Sequence, residues 1–182
     1  MEILLVLDPS FPPRARAWVG ELPNIAWEAT EYIENRLVVS SAPGAKESIA
    51  ALEVFIAHGG RFSYGLLGGA FTPNDSKELV VRVASSEGGQ TITDWSLARG
   101  LDAVRTGIPP WAAEEILNAA LENAEGQALG PGCLSFCLGA HGEMGSNRWV
   151  FRGLANAVIS LVFMNGPLSE AGLSSILRRH FG

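Results

Sequence analysis

AKESIAALEVFIAHGGRFSYGLLGGAF, residues 45–71, is the stretch on which the fold turns. Its first half, Ala45 to Ala57, reads as a helix: Ile49, Leu52, Val54, Phe55 and Ile56 give a one-sided apolar face, a turn at Ser40 to Gly44 with Pro43 precedes it, and Gly59-Gly60 stops it. Its second half, Phe62 to Phe71, is rich in small and aromatic residues and reads as a strand. A second strand follows at Glu78 to Val83. The intervening Thr72-Pro73-Asn74-Asp75-Ser76 favours a turn, so the two strands are expected to form a hairpin.

Toward the N-terminus, Ile3 to Leu7 reads as a short buried strand closed by Asp8-Pro9 and Pro12-Pro13, and Ile25 to Ser40 reads as extended, with Arg36 to Val39 its clearest strand. Toward the C-terminus, Thr93 reads as the N-cap of a helix from Asp94 to about Arg105 ended by Gly107. Pro109 and Pro110 suit the first turn of a helix from Trp111 to Glu125, with Glu114 and Glu115 near its positive end. Cys133 to Leu138 reads as a strand with Leu134, Phe136 and Leu138 on one heavily apolar face. Gly139 to Gly145 reads as a loop, and Ser146 as the N-cap of a helix to Met164, whose polar residues Arg148, Arg152, Asn156 and Ser160 form one wet stripe at intervals of four. A final helix covers Ser169 to His180. The fold class is α+β.

The chain has 182 residues, 47% hydrophobic and 18% charged, with a formal net charge of -6. Surface scaling allows about 70% of its surface to be buried without staples, so one domain over residues 1–182 is expected. The acidic balance argues against an obvious nucleic-acid binder, which carries a basic footprint. Cys133 and Cys137 are too few for a disulfide framework and on an extended segment would stand about 13 Å apart, which fits a reducing compartment. The opening apolar run is too short and too soon acidic for an export signal, and Leu154 to Met164 falls short of the roughly 20 residues that span a bilayer, so a cytoplasmic protein without a membrane partner is expected.

Several local motifs, taken in order, resemble domain IV of elongation factor G. Pro23-Asn24-Ile25-Ala26-Trp27-Glu28-Ala29-Thr30 is similar to that domain's opening strand, and Gly59-Gly60-Arg61-Phe62-Ser63-Tyr64-Gly65 to the Gly-Gly-Arg stretch that begins its next one. Ile108-Pro109 and the helix to Glu125 resemble the family's first helix, Leu129-Gly130-Pro131 its following connection, and Ser146-Asn147 through Phe151 and Ala155 the start of its second helix. The resemblance covers about Pro23 to Met164 and leaves residues 165–182 as a C-terminal helical extension. It implies a small mixed sheet packed by two main helices, with a β-α-β crossover of left-handed sense, and a non-catalytic binding role through loops 59–64 and 139–146. The ribosome or structured RNA would be the partner, or else a protein. Residues 1–22, 31–57 and 94–105 look like additions, and the factor's nucleotide-binding domains are absent.

The resemblance names Arg61, Tyr64, His141, Glu143, Ser146, Arg148 and Arg152 as binding residues. Arg61, Arg148 and Arg152 could meet phosphates through guanidinium donors, or simply pair with the 19 acidic residues. His141 sits at the tip that corresponds to the factor's ribosome-facing loop, but the family's histidine position falls on Gly142. The tip lysines of the family are missing, since only Lys46 and Lys77 occur. No Gly-x-x-x-x-Gly-Lys-Ser/Thr loop, Gly-x-Ser-x-Gly elbow, His-Glu-x-x-His or paired Cys-x-x-Cys motif is present, so no catalytic residue, metal or cofactor is expected from His58, His141, His180 or the cysteines. Two other readings stand beside this one: a homo-oligomeric interaction protein that buries tryptophans and the C-terminal helix, and a small-molecule enzyme on the same fold.

Overall fold

Residues 48–58 are a strand. The computed structural model describes residues 2–6, 13–39, 46–86, 88–92, 94–126 and 129–182. Through them run β1 (Glu2–Val6), β2 (Pro13–Val19), β3 (Glu31–Val38), β4 (Ser48–His58), β5 (Arg61–Pro73), β6 (Glu78–Ser85), β7 (Thr91–Ile92) and β8 (Val104–Thr106). Then follow α1 (Pro110–Gly126), β9 (Gly132–Gly142), α2 (Arg148–Val162) and α3 (Glu170–Phe181). The fold is α+β. Its strands form one mixed sheet in the order β1-β2-β4-β5-β9-β6-β3, where β6 and β9 run parallel and the other neighbours antiparallel. Beyond the end of β6, β8 takes over as the neighbour of β9 and carries β7 on its other side. The turns expected at 8–12 and 40–44, the Thr93 cap and the His58 side chain lie outside the described residues.

The helix expected over 45–57 is β4 because both of its faces are covered. Ala50, Leu52, Val54 and Ile56 join the core beneath the helices, while Ala51 and Phe55 join a second cluster on the opposite face. A nearly continuous apolar run suits a strand buried on both sides, and the same run imitates an apolar helix face. Gly59 and Gly60, at φ 49° and 88°, close a two-residue turn into β5, a backbone that only glycine adopts without strain. The expected hairpin between β5 and β6 does not form, because β9 lies between them, antiparallel to β5 and parallel to β6. That arrangement needs the crossover through α1, a contact far apart in sequence that no local turn signal encodes.

Two other expectations change. Asp94 to Asp102 forms turns rather than a helix, with Gly100 at φ 75°, and buries Leu97 and Ala98 against the back of the sheet. Pro23 to Thr30, matched above to an opening strand, forms none, and supplies Ile25 and Trp27 to the packing. Along β9 the side-chain phase also flips: Leu134 and Phe136 face the helices, but Leu138 and Ala140 join the opposite cluster. The register with β5 skips Cys137, pairing Gly69 with Phe136 and Gly68 with Leu138. This is a β-bulge. The indole Nε1 of Trp27 donates to Cys137 O at 3.1 Å.

Helix α2 seats on the glycine side of β5, where a Cβ on Gly65 would stand 2.7 Å from Leu154 Cδ1 and one on Gly69 3.2 Å from Val158 Cγ1. Its polar stripe is a seam between helices. Arg152 bonds Glu115 at 3.0 Å and also Glu122, Asn123 Nδ2 donates to Asn156 Oδ1 at 3.0 Å, and Ser160 Oγ lies 3.1 Å from His180 Nε2 of α3. Glu115 therefore serves Arg152 and Arg148 rather than the first turn of α1, which holds no acidic residue. No described helix is long and apolar enough to cross a membrane.

On the back of the sheet sits Glu53, fully buried. Its Oε1 accepts from Tyr64 OH at 3.0 Å and from Leu97 N at 2.9 Å, and its Oε2 lies 3.8 Å from Arg16 Nε. Arg16 donates in turn to Trp95 O at 3.3 Å. One carboxylate thus ties β2, β4 and β5 to the turns that cover them. Glu53→Ala leaves these donors behind in a closed site and is expected to cost about 3 kcal/mol in urea denaturation, the low end for a broken buried pair because Arg16 keeps some solvent. Glu53→Gln retains an acceptor for Leu97 and should lose less.

Candidate functional site at the joined tips

The turn between β4 and β5 and the turn between β9 and α2 meet. Tyr64 N donates to Gly145 O at 2.9 Å, Ser146 Oγ donates to Tyr64 O at 2.7 Å, and Gly142 N donates back to Ser146 Oγ at 2.8 Å. Asp102, reaching up from the back-face turns, accepts from Gly145 N at 2.8 Å and from Met144 N at 3.1 Å. Glycine is required inside this staple, since a Cβ on Gly142 would lie 2.0 Å from Asp102 Oδ2. The N-cap of α2 is Asn147, which accepts from Val150 N at 3.0 Å. The expected cap, Ser146, is spent joining the two tips.

Between the tips lies a shallow cleft of about 440 Å³ lined by Gly60, Arg61, Phe62, Ser63, Met144 and Asn147. Met144 is 72% exposed. Phe62 stacks on Phe55 with ring centroids 5.3 Å apart, which anchors the floor to the back-face cluster. Arg61 is exposed, and among the described residues its guanidinium joins no ion pair.

Of the seven residues named from the sequence, Arg61 lines this cleft, Tyr64 and Ser146 hold the tips together behind it, and the structure does not bring the other four into it. Tyr64 is fully buried, its hydroxyl proton held by burial and by Glu53, so its pKa is pushed well up. Ser146 is structural. Glu143 pairs with Arg105 at 2.8 Å on the β8 side. Arg148 is exposed and 3.7 Å from Glu115, while Arg152 is clamped by two glutamates. His141 lies on β9 outside the lining, with Nδ1 3.2 Å from Gly107 O; a carbonyl only accepts, so that nitrogen carries the proton. Burial pushes the His141 pKa down, and the bond to Gly107 only partly opposes it.

Asp102, Met144 and Asn147 were not singled out from the sequence. Asp102 was hidden inside an expected helix, whereas Met144, between Glu143 and Gly145, carried a readable signal: a large apolar residue in a turn. A second, larger groove of about 710 Å³ runs along Trp27, Glu28, Thr30, Ser86, Gln90 and Thr106, and several of its polar atoms are used in holding its walls, as where Gln90 N donates to Thr106 Oγ1 at 2.9 Å and Thr106 N to Gln90 O at 2.9 Å. Among the described residues no three His, Cys, Asp or Glu side chains gather to hold a metal, and Cys133 and Cys137 are free and half-buried, with burial pushing the Cys137 thiol up. No family model, curated protein or solved structure matches the chain.

Asp102→Ala should leave the fold intact and release the tip, read as faster amide exchange at Met144 and Gly145 while β5 stays protected. A pH dependence also follows. Burial lowers the pKa of both His141 and His180, so the unfolded chain takes up protons first. The histidines leave stability unaffected above the unfolded value near 6.5 and reduce it as pH falls below. The urea midpoint should therefore drop as pH falls below the ordinary histidine value, and His141→Gln with His180→Gln should flatten that slope; the window of Glu34, held low by Arg82 and Arg36, lies further down.

Proposed function

We propose that this chain is a non-catalytic binding module on a fold of the elongation factor G domain IV kind, engaging a protein partner at the joined tips. The observation that carries the reading is the stapled lip itself: its own polar groups are used in holding its shape, and it presents an exposed Met144 beside an Arg61 that forms no ion pair among the described residues. An apolar anchor next to one cation suits a peptide segment that pairs a side chain for the cleft with a carboxylate. The order β4-β5-β6-α1-β9-α2 supports the fold assignment, with β4 taking the place first given to Pro23 to Thr30. The left-handed sense of the β6-α1-β9 crossover belongs to the same proposal.

The exposed guanidiniums of Arg61 and Arg148 favour a second reading, in which the tips meet structured RNA or the ribosome. Against it stands the neutralisation of Arg152 and Arg105 by glutamates and the charge of -6. Selection of peptides from a random display library on immobilised protein separates the two. The first reading expects carboxylate-bearing peptides whose affinity falls about tenfold on Arg61→Ala, the loss of one charge-assisted contact, and falls again on Met144→Ala. The second expects salt-dependent binding to purified ribosomes or an RNA hairpin, abolished by Arg61→Ala with Arg148→Ala. If neither probe binds, the tips are not a recognition site.

A further inference from the structure

The geometry points to a second recognition surface, the open edge of β3, on which a second copy of this chain pairs antiparallel through its own β3 about a dyad at Asn35. Among the described residues, β3 is the last strand on its side of the sheet and pairs only with β6. Natural edges are blunted with charged side chains, Lys above all, with Pro, bulges or extreme shortness, and the central charges of this one, Glu34 and Arg36, are of opposite sign and so do not repel a second copy in every register. This one has eight residues, EYIENRLV, with no Lys, Pro or Gly, and its register with β6 runs unbroken from Glu31 to Val38.

Backbone parity limits how a partner can pair. Val39 N donates to Lys77 O, which places the odd-numbered residues of β3 in the ladder with β6. The even-numbered residues Tyr32, Glu34, Arg36 and Val38 therefore turn their amides and carbonyls to the open edge. The Arg36 N–H confirms it, since it is satisfied locally by Asn35 Oδ1 at 2.8 Å instead of by a strand. An antiparallel copy must set even residues against even residues. Three central registers meet that condition. One centred on Glu34 opposes two glutamates, one centred on Arg36 opposes two arginines, and both are repulsive.

The third, centred on Asn35, is self-complementary throughout. It places Glu34 opposite the partner's Arg36 and Arg36 opposite the partner's Glu34. On the same face, Tyr32 at 63% exposure and Val38 at 83% stand opposite the partner's Val38 and the partner's Tyr32, so both exposed apolar side chains of the strand gain a mate. On the other face, Ile33 and Leu37, already packed against the core at its rim, oppose the partner's Leu37 and the partner's Ile33. Glu34 also holds Arg82 of β6 through two bonds of 3.0 and 2.9 Å, and Arg36 stands 3.8 Å from Glu78 of β6, so the seam becomes a ladder of alternating charge four strands wide. The two sheets join into one.

Sedimentation over a concentration series rising to the millimolar range tests this, since so short an interface makes a concentration-dependent dimer. Wild type is expected to reach twice its monomer mass. Arg36→Glu alone and Glu34→Arg alone should each stay monomeric with an unchanged circular-dichroism spectrum, and their equimolar mixture should dimerise again, because each then faces its opposite. Arg36→Pro removes one outward amide without touching the β6 ladder and should also be monomeric. Asn35→Cys, on the dyad where paired Cα atoms approach to about 4.5 Å, should cross-link under mild oxidation while wild type does not. A wild type monomeric at every concentration, a dimer that survives Arg36→Glu or Arg36→Pro, a mixture that fails to associate, or an Asn35→Cys chain that does not cross-link would each overturn the inference.

Discussion

The buried carboxylate of Glu53 is the constraint on which the back of this molecule depends. A carboxyl group out of water is costly unless donors and positive charge converge on it, and here a tyrosine hydroxyl and a backbone amide bond one oxygen while the Arg16 guanidinium stands 3.8 Å from the other. Because the amide belongs to Leu97, the carboxylate fixes a segment that has no helix or long strand of its own. That segment carries Asp102, and Asp102 in turn accepts the two amides that shape the tip between β9 and α2. A charge in the middle of β4 thus positions a surface turn through one intervening stretch of chain.

The opposite face is organised by size rather than charge. Glycines at 65 and 69 let α2 lie close on β5, and Gly153 admits the ring of Phe181 from α3, where a Cβ would stand 2.5 Å from Phe181 Cε1. Close approach brings the polar stripe of α2 against α1, so Arg152 and Asn156 find partners there instead of solvent. The electrostatic consequence reaches the function. An arginine row that reads as a phosphate-binding stripe on an isolated helix is, in the packed molecule, mostly neutralised, which leaves Arg61 as the cation of the cleft.

The helices were legible because α1, α2 and α3 each show one apolar side with a recognisable start or stop. The strand β4 was not, because a run buried on both faces carries the same residues as a buried helix, and only its neighbours decide. Nor could the insertion of β9 between β5 and β6 be read locally, since it depends on pairing across the α1 crossover. The flip at Cys137 escaped for a different reason: a bulge changes which face Leu138 occupies without changing a single residue type. At the site, the glycine pair at 59–60 marked a chain reversal, but the same pair suits a helix stop and a tight turn between strands, so it did not show which element came before it. Asp102 carried no such mark. Its role exists only once two distant turns are adjacent.

The arginine–carboxylate pairs of this chain divide by exposure, and the division separates what holds the fold from what can exchange partners. Arg16 with Glu53 is enclosed, and Arg152 with Glu115 is half-covered in a helix seam, so rupture of either leaves a charge in a poor environment. Arg36 with Glu34 is the reverse case. Both side chains are well exposed, they are two residues apart on one strand, and water replaces either partner with little loss. A pair so weakly committed adds little to the fold, yet it keeps both charges in place on an open edge, and an opposing strand of the same sequence offers each of them a replacement of the correct sign. The same weakness that makes the pair unimportant for stability makes it suitable for recognition.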